Sequence, residues 1–171
     1  MIAKFRRAVS GKVLAAAAPV AVLAAGLIAA PAMAQYQQEI RNDMSRCRAG
    51  TPSIRVNISG IEAATGTVRV QLYRGIQGEW LEHGKWLYRI EAPARAGTMS
   101  FCLPVPQAGV YAVAARHDVN GNGETDFTTD GGAMSNNPSI NIFNLGRPSV
   151  TRTRFNVGED MVTLNINMRY M

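Results

Sequence analysis

Strict alternation of apolar and polar residues is the feature of this sequence that most limits its fold. Near the C-terminus, Val162, Leu164, Ile166 and Met168 alternate with Thr163, Asn165, Asn167 and Arg169. Successive side chains of a β-strand point to opposite faces, so this period predicts a strand with one buried face. Similar segments begin near positions 53, 67, 86, 98, 109 and 151, with Gly- or Pro-containing connections between them. About seven such strands predict a single antiparallel β-sandwich.

The phase of the alternation also predicts which side chains form the core. One apolar set is shared by the candidate strands and is expected to point inward: Val56, Val70, Leu72, Phe101, Val113, Leu164 and Ile166. A short helical turn is expected at most within 75–86, where several glycines oppose a longer helix.

Residues 1–34 have the features of a secretory signal peptide. Four basic residues precede an apolar stretch over 13–30, and Ala32-Met33-Ala34 forms an A-x-A cleavage site. An uncleaved membrane anchor is the alternative, because 18 apolar residues approach the length that spans a bilayer. The interior Pro19 and the cleavage site favour removal.

Cleavage would divide the chain into a signal peptide (1–34), an N-terminal arm (35–50) and a β-sandwich domain (51–171). The whole chain carries +6, and removal of the signal leaves 14 basic and 12 acidic residues, a net charge of +2. So weak and scattered a charge excludes a dedicated nucleic-acid binder, which needs a clustered basic face. The expected location is the periplasm or the exterior of a Gram-negative-type bacterium, without stable membrane insertion after cleavage.

Cys47 and Cys102 are the two cysteines of the chain. Exported proteins meet an oxidising compartment, and no CxxC spacing indicates a redox site. We therefore expect a structural disulfide between these two residues.

The stretch "HDVNGNGETDF" (117–127) is the clearest candidate for chemistry. Counted from Asp118 as position 1, Asn120, Asn122 and Asp126 occupy positions 3, 5 and 9, and Gly123 occupies position 6. In an EF-hand loop these positions supply oxygen ligands and the sharp turn, while position 7, here Glu124, gives its backbone carbonyl. The pattern predicts a calcium site formed by Asp118, Asn120, Asn122, Glu124 and Asp126.

The end of the loop departs from that pattern. Thr129 stands at position 12, where a bidentate Glu is usual, and Asp130 follows it. With few carboxylates, we expect weak binding in the range of roughly 10⁻⁴ to 10⁻³ M. The alternative is a plain polar turn, because Asn-Gly and Asp-x-Asn sequences form turns without a metal. The interval from 118 to 149 has no convincing strand, and such long loops are usually functional or disordered.

No other set of residues indicates catalysis. His83 and His117 lack the spacing of zinc ligands and are expected at the surface or the edge of the core. Ser135 has no nucleophile elbow around it, and no nucleophile–base pair is recognisable. Arg152 and Arg154 are expected on the solvated face of a strand.

Several segments together resemble the bacterial domain-of-unknown-function 2141 family. They are "VNISGIEAATGTVRVQLY", "LPVPQAGVYAVAARHDVNGNGETD", "SNNP", "GRPSV" and "VTLNINMRY". The run Leu103, Pro104, Gly109, Tyr111 is also similar to transthyretin-like sandwiches such as the carboxypeptidase regulatory domain, and the Asp-Asn-Gly loop resembles those of calcium-binding adhesin repeats. The resemblance implies a Greek-key sandwich in the periplasm or outside the cell, and it implies no activity.

Four functional hypotheses follow. The first is an exported, non-enzymatic module that calcium stabilises and that binds an envelope or extracellular ligand. The second is an adhesion or scaffold protein whose loop is purely structural. A small outer-membrane β-barrel is the third, although most candidate strands are shorter than the 9 to 11 residues that span the membrane. The fourth is an enzyme of unknown type.

Overall fold

The computed structural model describes residues 36–170, and the predicted signal peptide lies outside them. Ten strands occur in this part of the chain, together with one helical turn of α type, α1 (Val150–Thr153). The strands are β1 (Gln38–Glu39), β2 (Ser53–Ile61), β3 (Thr67–Arg74), β4 (Trp86–Pro93), β5 (Gly97–Pro104), β6 (Gly109–Asp118), β7 (Gly131–Met134), β8 (Phe155–Val157), β9 (Met161–Asn167) and β10 (Arg169–Tyr170). Two 3₁₀ turns lie at Met44–Arg46 and Ile142–Asn144. No helix within 36–170 is long and apolar enough to cross a membrane.

The strands form two sheets that enclose one main core. The large sheet has seven strands in the order β1-β4-β3-β6-β7-β10, with β8 beside β6, and the small sheet has the order β5-β2-β9. Buried aliphatic and aromatic side chains from both sheets belong to the same cluster. The all-β sandwich predicted from the alternation is therefore confirmed.

The predicted inward side chains lie in this core. Val56, Val70, Leu72, Phe101 and Val113 are completely buried. Ile166 is also buried, and Leu164 is half-buried and packs against the cluster. A second, smaller cluster covers part of the outer face of the large sheet, where Tyr73 meets Trp80 edge to face.

Two strand pairings are parallel, so the sandwich is not purely antiparallel as the sequence predicts. β2 pairs with β5 in antiparallel fashion but with β9 in parallel, and β1 pairs with β4 in parallel. A parallel pair cannot be closed by a tight turn and needs a long crossover. Here β3 to β8 all lie between β2 and β9 in the chain, so no local turn sequence predicts that these two strands pair.

Two local predictions differ from the structure. The segment 151–157, expected as one strand with Arg152 and Arg154 on its outer face, divides into α1 and the short β8. The Thr153 hydroxyl donates to the carbonyl of Val150 within this helical turn, and Arg152 lies in the turn itself. The interval 118–149, expected without a strand, contains β7, which pairs with β6 and β10.

The N-terminal arm is tied to both sheets. β1 adds an edge strand to the large sheet, and Asn42 bonds to the backbone of Ser100 and Cys102 in the small sheet. Cys47 is disulfide-bonded to Cys102, as predicted, with their Cα atoms 5.7 Å apart. The arm therefore contributes to the stability of the fold.

The disulfide gives a first prediction. Its sequence separation is 55 residues, and closing a loop of this length stabilises a chain by about 4 kcal/mol in the chain-entropy model. Replacing both cysteines with alanine should lower the free energy of unfolding, measured by urea denaturation, by about that amount. Wild-type protein treated with reductant should show the same loss, and an unchanged urea midpoint in both samples would contradict the prediction.

Candidate metal site

The candidate loop connects two neighbouring strands of the large sheet. Asp118 is the last residue of β6, and the chain returns at Gly131, which pairs with His117. Gly121 and Gly123 have φ angles of 71° and 81°, a left-handed conformation that glycine adopts without strain. The motif is thus the β6–β7 connection, at one end of the sandwich.

Asp118 anchors the loop to the end of β6. Its side chain is almost fully buried; Oδ1 accepts the N–H of Gly121 at 2.8 Å, and Oδ2 accepts the N–H of Gly123 at 2.9 Å. Hydrogen bonds to a carboxylate are stronger than those between neutral groups. Asp118 therefore shapes the turn through its own hydrogen bonds.

Three of the other predicted ligands converge on one point. The side-chain amides of Asn120 and Asn122 both donate to Oδ2 of Asp126, each at 2.8 Å. The amide oxygens accept backbone N–H groups instead: Asn120 from Asn122 at 3.1 Å, and Asn122 from Glu124 at 2.8 Å. These two bonds are the Asx-turns expected for a polar turn.

Glu124 and Asp130 differ in burial. The Glu124 side chain is exposed, which agrees with the expectation that only its backbone carbonyl would contact a calcium ion. Asp130 is buried, and its two carboxylate oxygens accept the N–H groups of Val119 at 3.2 Å and Asp126 at 3.1 Å. Asp130 thus ties both ends of the loop together.

Arg116 is a member of the site that the sequence did not single out. Its guanidinium donates to the Thr125 hydroxyl at 2.8 Å and to the Gly123 carbonyl at 3.0 Å, and it lies 3.4 Å from Oδ2 of Asp118. Arg116 precedes Asp118 by two residues, so the period of a strand places both on the same face. The chain itself therefore supplies a positive charge next to Asp118.

The residue types fit calcium better than their present arrangement does. Carboxylate, amide and carbonyl oxygens are the donors that this cation prefers. Rotating the amides of Asn120 and Asn122 would turn their oxygens toward Asp126, where three oxygens would then meet. Within 36–170, however, no group of three or more His, Cys, Asp or Glu side chains gathers closely enough to hold a metal. A calcium ion here would depend on the two asparagines and on backbone oxygens.

His117 is structural. It is completely buried; Nδ1 lies 2.6 Å from the Tyr170 hydroxyl, and Nε2 lies 2.8 Å from the Thr65 carbonyl. A carbonyl can only accept, so Nε2 carries the proton and Nδ1 accepts from Tyr170. The Tyr170 hydroxyl in turn accepts the N–H of Glu62. These hydrogen bonds join the end of β6 to β10 and to the β2–β3 connection. His117 is thus fully buried, whereas the sequence predicts it at the surface or the edge of the core.

Ser135 lies away from His117. Its hydroxyl donates to the Thr153 carbonyl at 2.6 Å and accepts the N–H of Val113 at 3.0 Å, and the side chain is completely buried. These contacts hold the end of β7 against α1. The Ser135 hydroxyl is therefore bonded to backbone groups of β6 and α1.

Comparison with known proteins identifies a family. Residues 56–165 match the model of the family DUF2141, described as an uncharacterised protein conserved in bacteria. The chain belongs to the DUF2141 family. The match covers β3 to β8 and most of β2 and β9, and it includes the whole candidate loop. No curated protein and no solved structure matches the chain significantly.

The contacts of Asp118 give a second prediction, independent of any metal. Asp118→Ala removes the acceptor of two backbone N–H groups and leaves Arg116 without its neighbouring carboxylate. In the presence of chelator, the free energy of unfolding should fall by about 2 to 3 kcal/mol. The matched control is Glu124→Ala, which changes an exposed side chain of the same loop and should stay within about 0.5 kcal/mol of wild type. Equal urea midpoints for the two variants would show that Asp118 does not anchor the loop.

A third prediction concerns the buried hydrogen-bond chain at His117. Tyr170→Phe removes only the hydroxyl and leaves Nδ1 of His117 without a donor. A buried polar atom that loses its partner costs about 1 to 3 kcal/mol. Thermal unfolding should occur at a lower temperature, and Tyr88→Phe is the control, since the half-buried Tyr88 makes no side-chain hydrogen bond within the described residues. A melting temperature of Tyr170→Phe equal to that of the control would contradict this assignment.

Proposed function

We propose that the protein is an exported, non-enzymatic β-sandwich module of the bacterial envelope or exterior, stabilised by calcium in the 118–126 loop. The convergence of Asn120, Asn122 and Asp126 on one atom is the observation that carries the calcium proposal. Asp118 and the Glu124 carbonyl complete the proposed ligand set. The ion would neutralise two carboxylates and cross-link the loop that joins β6 to β7.

Export is supported by two separate features. The apolar segment 13–30 precedes an A-x-A site in the sequence. Within the described residues both cysteines are joined in a disulfide, and disulfides persist in oxidising compartments.

The non-enzymatic part of the proposal is supported by the hydrogen bonds of the His, Ser and Asp side chains, which are residue types that often act in catalysis. His117 and Ser135 are buried and bonded to neighbouring backbone and hydroxyl groups. The carboxylates of Asp118 and Asp130 accept backbone N–H groups. Each of these groups therefore has a structural purpose in the part of the chain described.

Calcium dependence is the fourth prediction. A ligand that binds only the folded state stabilises it by about 2.7 kcal/mol at 100 times its dissociation constant. For a chain of this size, calcium should raise the melting temperature by several degrees over chelator. Magnesium should have a smaller effect, because it requires a stricter octahedral geometry than a loop of amides and carbonyls offers.

Two nearly isosteric variants make this test specific. Asp126→Asn removes the carboxylate on which both amides converge and should abolish the calcium-dependent rise. Glu124→Gln keeps the backbone carbonyl and should retain it. Identical melting temperatures of the wild type in calcium and in chelator would contradict the proposal, and so would a rise that persists in Asp126→Asn. The loop would then be a turn held by its own hydrogen bonds.

A further inference from the structure

We propose that a cleft on the outer face of the large sheet binds a small organic anion with an apolar ring. The cleft has a volume of about 360 Å³ and lies above β3, β6 and β7. Cavities that bind small molecules are commonly about 300 to 1,000 Å³, so this one suits a ligand of one or two rings. The proposal does not depend on calcium.

Small residues make the floor of the cleft. Ala114 of β6 and Gly132 of β7 both line it; the first has only a methyl group as its side chain and the second has none. A Cβ atom added at Gly132 would come near one atom, Cδ1 of Ile140, at an ordinary 3.7 Å. A methyl group would therefore fit above Gly132 without strain, with Ile140 as its neighbour.

Arginines lie in one row across this floor. The register places Arg69 of β3 opposite Arg116 of β6, Arg116 opposite Gly132, and Gly132 opposite Arg169 of β10. Neighbouring strands are about 4.8 Å apart. The backbones of Arg116 and Arg169, on either side of Gly132, are therefore about 10 Å apart. Like charges directly opposite each other on a sheet destabilise it, so such a row has an energetic cost.

Of the arginines in this row, Arg169 is exposed and has no opposite charge beside it within residues 36–170. Arg69 pairs with Glu91, and Arg116 lies beside Asp118. The Arg169 side chain has no ion pair or hydrogen bond within residues 36–170. Nε of Arg116 is also buried without an acceptor. An anion above Gly132 would offset the repulsion and give Arg169 the partner that residues 36–170 do not supply.

The two carboxylates in the lining accept hydrogen bonds from the 118–131 loop. Asp130 accepts two backbone N–H groups, and Asp126 accepts the amides of Asn120 and Asn122. A fourth arginine, Arg147, bonds to Glu82 and to the Leu81 carbonyl at the opposite side. Among the charged groups of the lining, the one without a hydrogen bond or ion pair within residues 36–170 is thus a cation, Arg169, and this favours a negatively charged ligand.

The remaining walls select an apolar body for that ligand. Phe127 and Leu145 line the cleft although 52% and 68% of their surfaces are exposed. Phe127 lies close to Gly146, where an added Cβ would come within 3.3 Å of the ring, so the two loops meet at the rim. Burial raises the pKa of Tyr73 to about 12, and its neutral ring adds to the apolar lining. A ring in the cleft would cover the exposed apolar side chains while its acidic group meets the arginines.

Three probes with the same ring and different charges test this specificity. Isothermal titration calorimetry with 2-naphthoate should give saturable binding at one site, in calcium or in chelator. The neutral 2-naphthylmethanol should bind at least about tenfold more weakly, since tenfold corresponds to 1.4 kcal/mol. The cationic 2-naphthylmethylamine should not bind. Equal affinity for all three, or no saturable binding of 2-naphthoate, would overturn the proposal.

Two variants locate the site. Arg169→Gln should weaken 2-naphthoate binding at least about tenfold. The variant should then bind 2-naphthoate about as weakly as the wild type binds 2-naphthylmethanol. Arg152→Gln changes an exposed arginine of α1 outside the cleft and should leave the affinity unchanged. Gly132→Leu fills the floor and should abolish binding, with urea denaturation confirming that the variant is folded. Unchanged binding in Arg169→Gln would overturn the assignment even if Gly132→Leu failed to fold.

Aromatic carboxylates and aromatic phosphates share the required chemistry. Titration with phenyl phosphate and with inorganic phosphate separates the two parts of the recognition. Binding of phenyl phosphate but not of inorganic phosphate would support an apolar anion. Equal binding of both would show an anion site without an apolar component and would contradict the ligand class proposed.

Discussion

The pairing of β3 with β6 is the interaction on which the rest of this structure depends. Eight consecutive residue pairs, from Thr67↔Asp118 to Arg74↔Tyr111, join the two central strands of the large sheet. A slip of one residue would turn every core side chain of a strand toward the opposite face. The register is reinforced at its end, where Gly66 passes so close to the Asp118 carbonyl that a Cβ atom would lie 1.8 Å from it. The same pairing directs Val70 and Val113 inward and aligns Arg69 with Arg116 outside.

Local periodicity in the sequence was sufficient to predict the long strands. Segments such as 67–74 and 161–167 alternate clearly, and the structure has strands there. β7 has the sequence Gly-Gly-Ala-Met, which contains no alternation and few residues that favour strands. It forms a strand because β6 and β10 offer hydrogen-bonding partners on both sides. The parallel pairing of β2 with β9 depends in the same way on the whole fold.

The candidate loop shows the same limit at the level of side chains. Spacing alone identified Asn120, Asn122 and Asp126, and these residues do meet in space. Spacing places Arg116 on the same face of β6 as Asp118, but it could not indicate that Arg116 reaches Gly123, because that contact depends on how the loop folds back over the sheet. It also gave no sign of the arginine row, since Arg169 is 53 positions from Arg116 and becomes its neighbour only through β7. Sequence patterns locate groups along the chain, and only strand order brings distant groups together.

The parallel neighbour of β2 has a consequence for the order in which the chain folds. The partners in this ladder, for example Val56 and Leu164, are separated by 108 positions. A chain that emerges from its N-terminus first can pair β2 with β5 long before β9 is present. Until the last strands arrive, one edge of β2 keeps its N–H and C=O groups free, and such an edge readily pairs with other chains. Contacts this distant in sequence also slow folding. β9 therefore covers an edge of β2 that is open earlier in folding, and a chain truncated before β9 would keep the backbone N–H and C=O groups of that edge exposed.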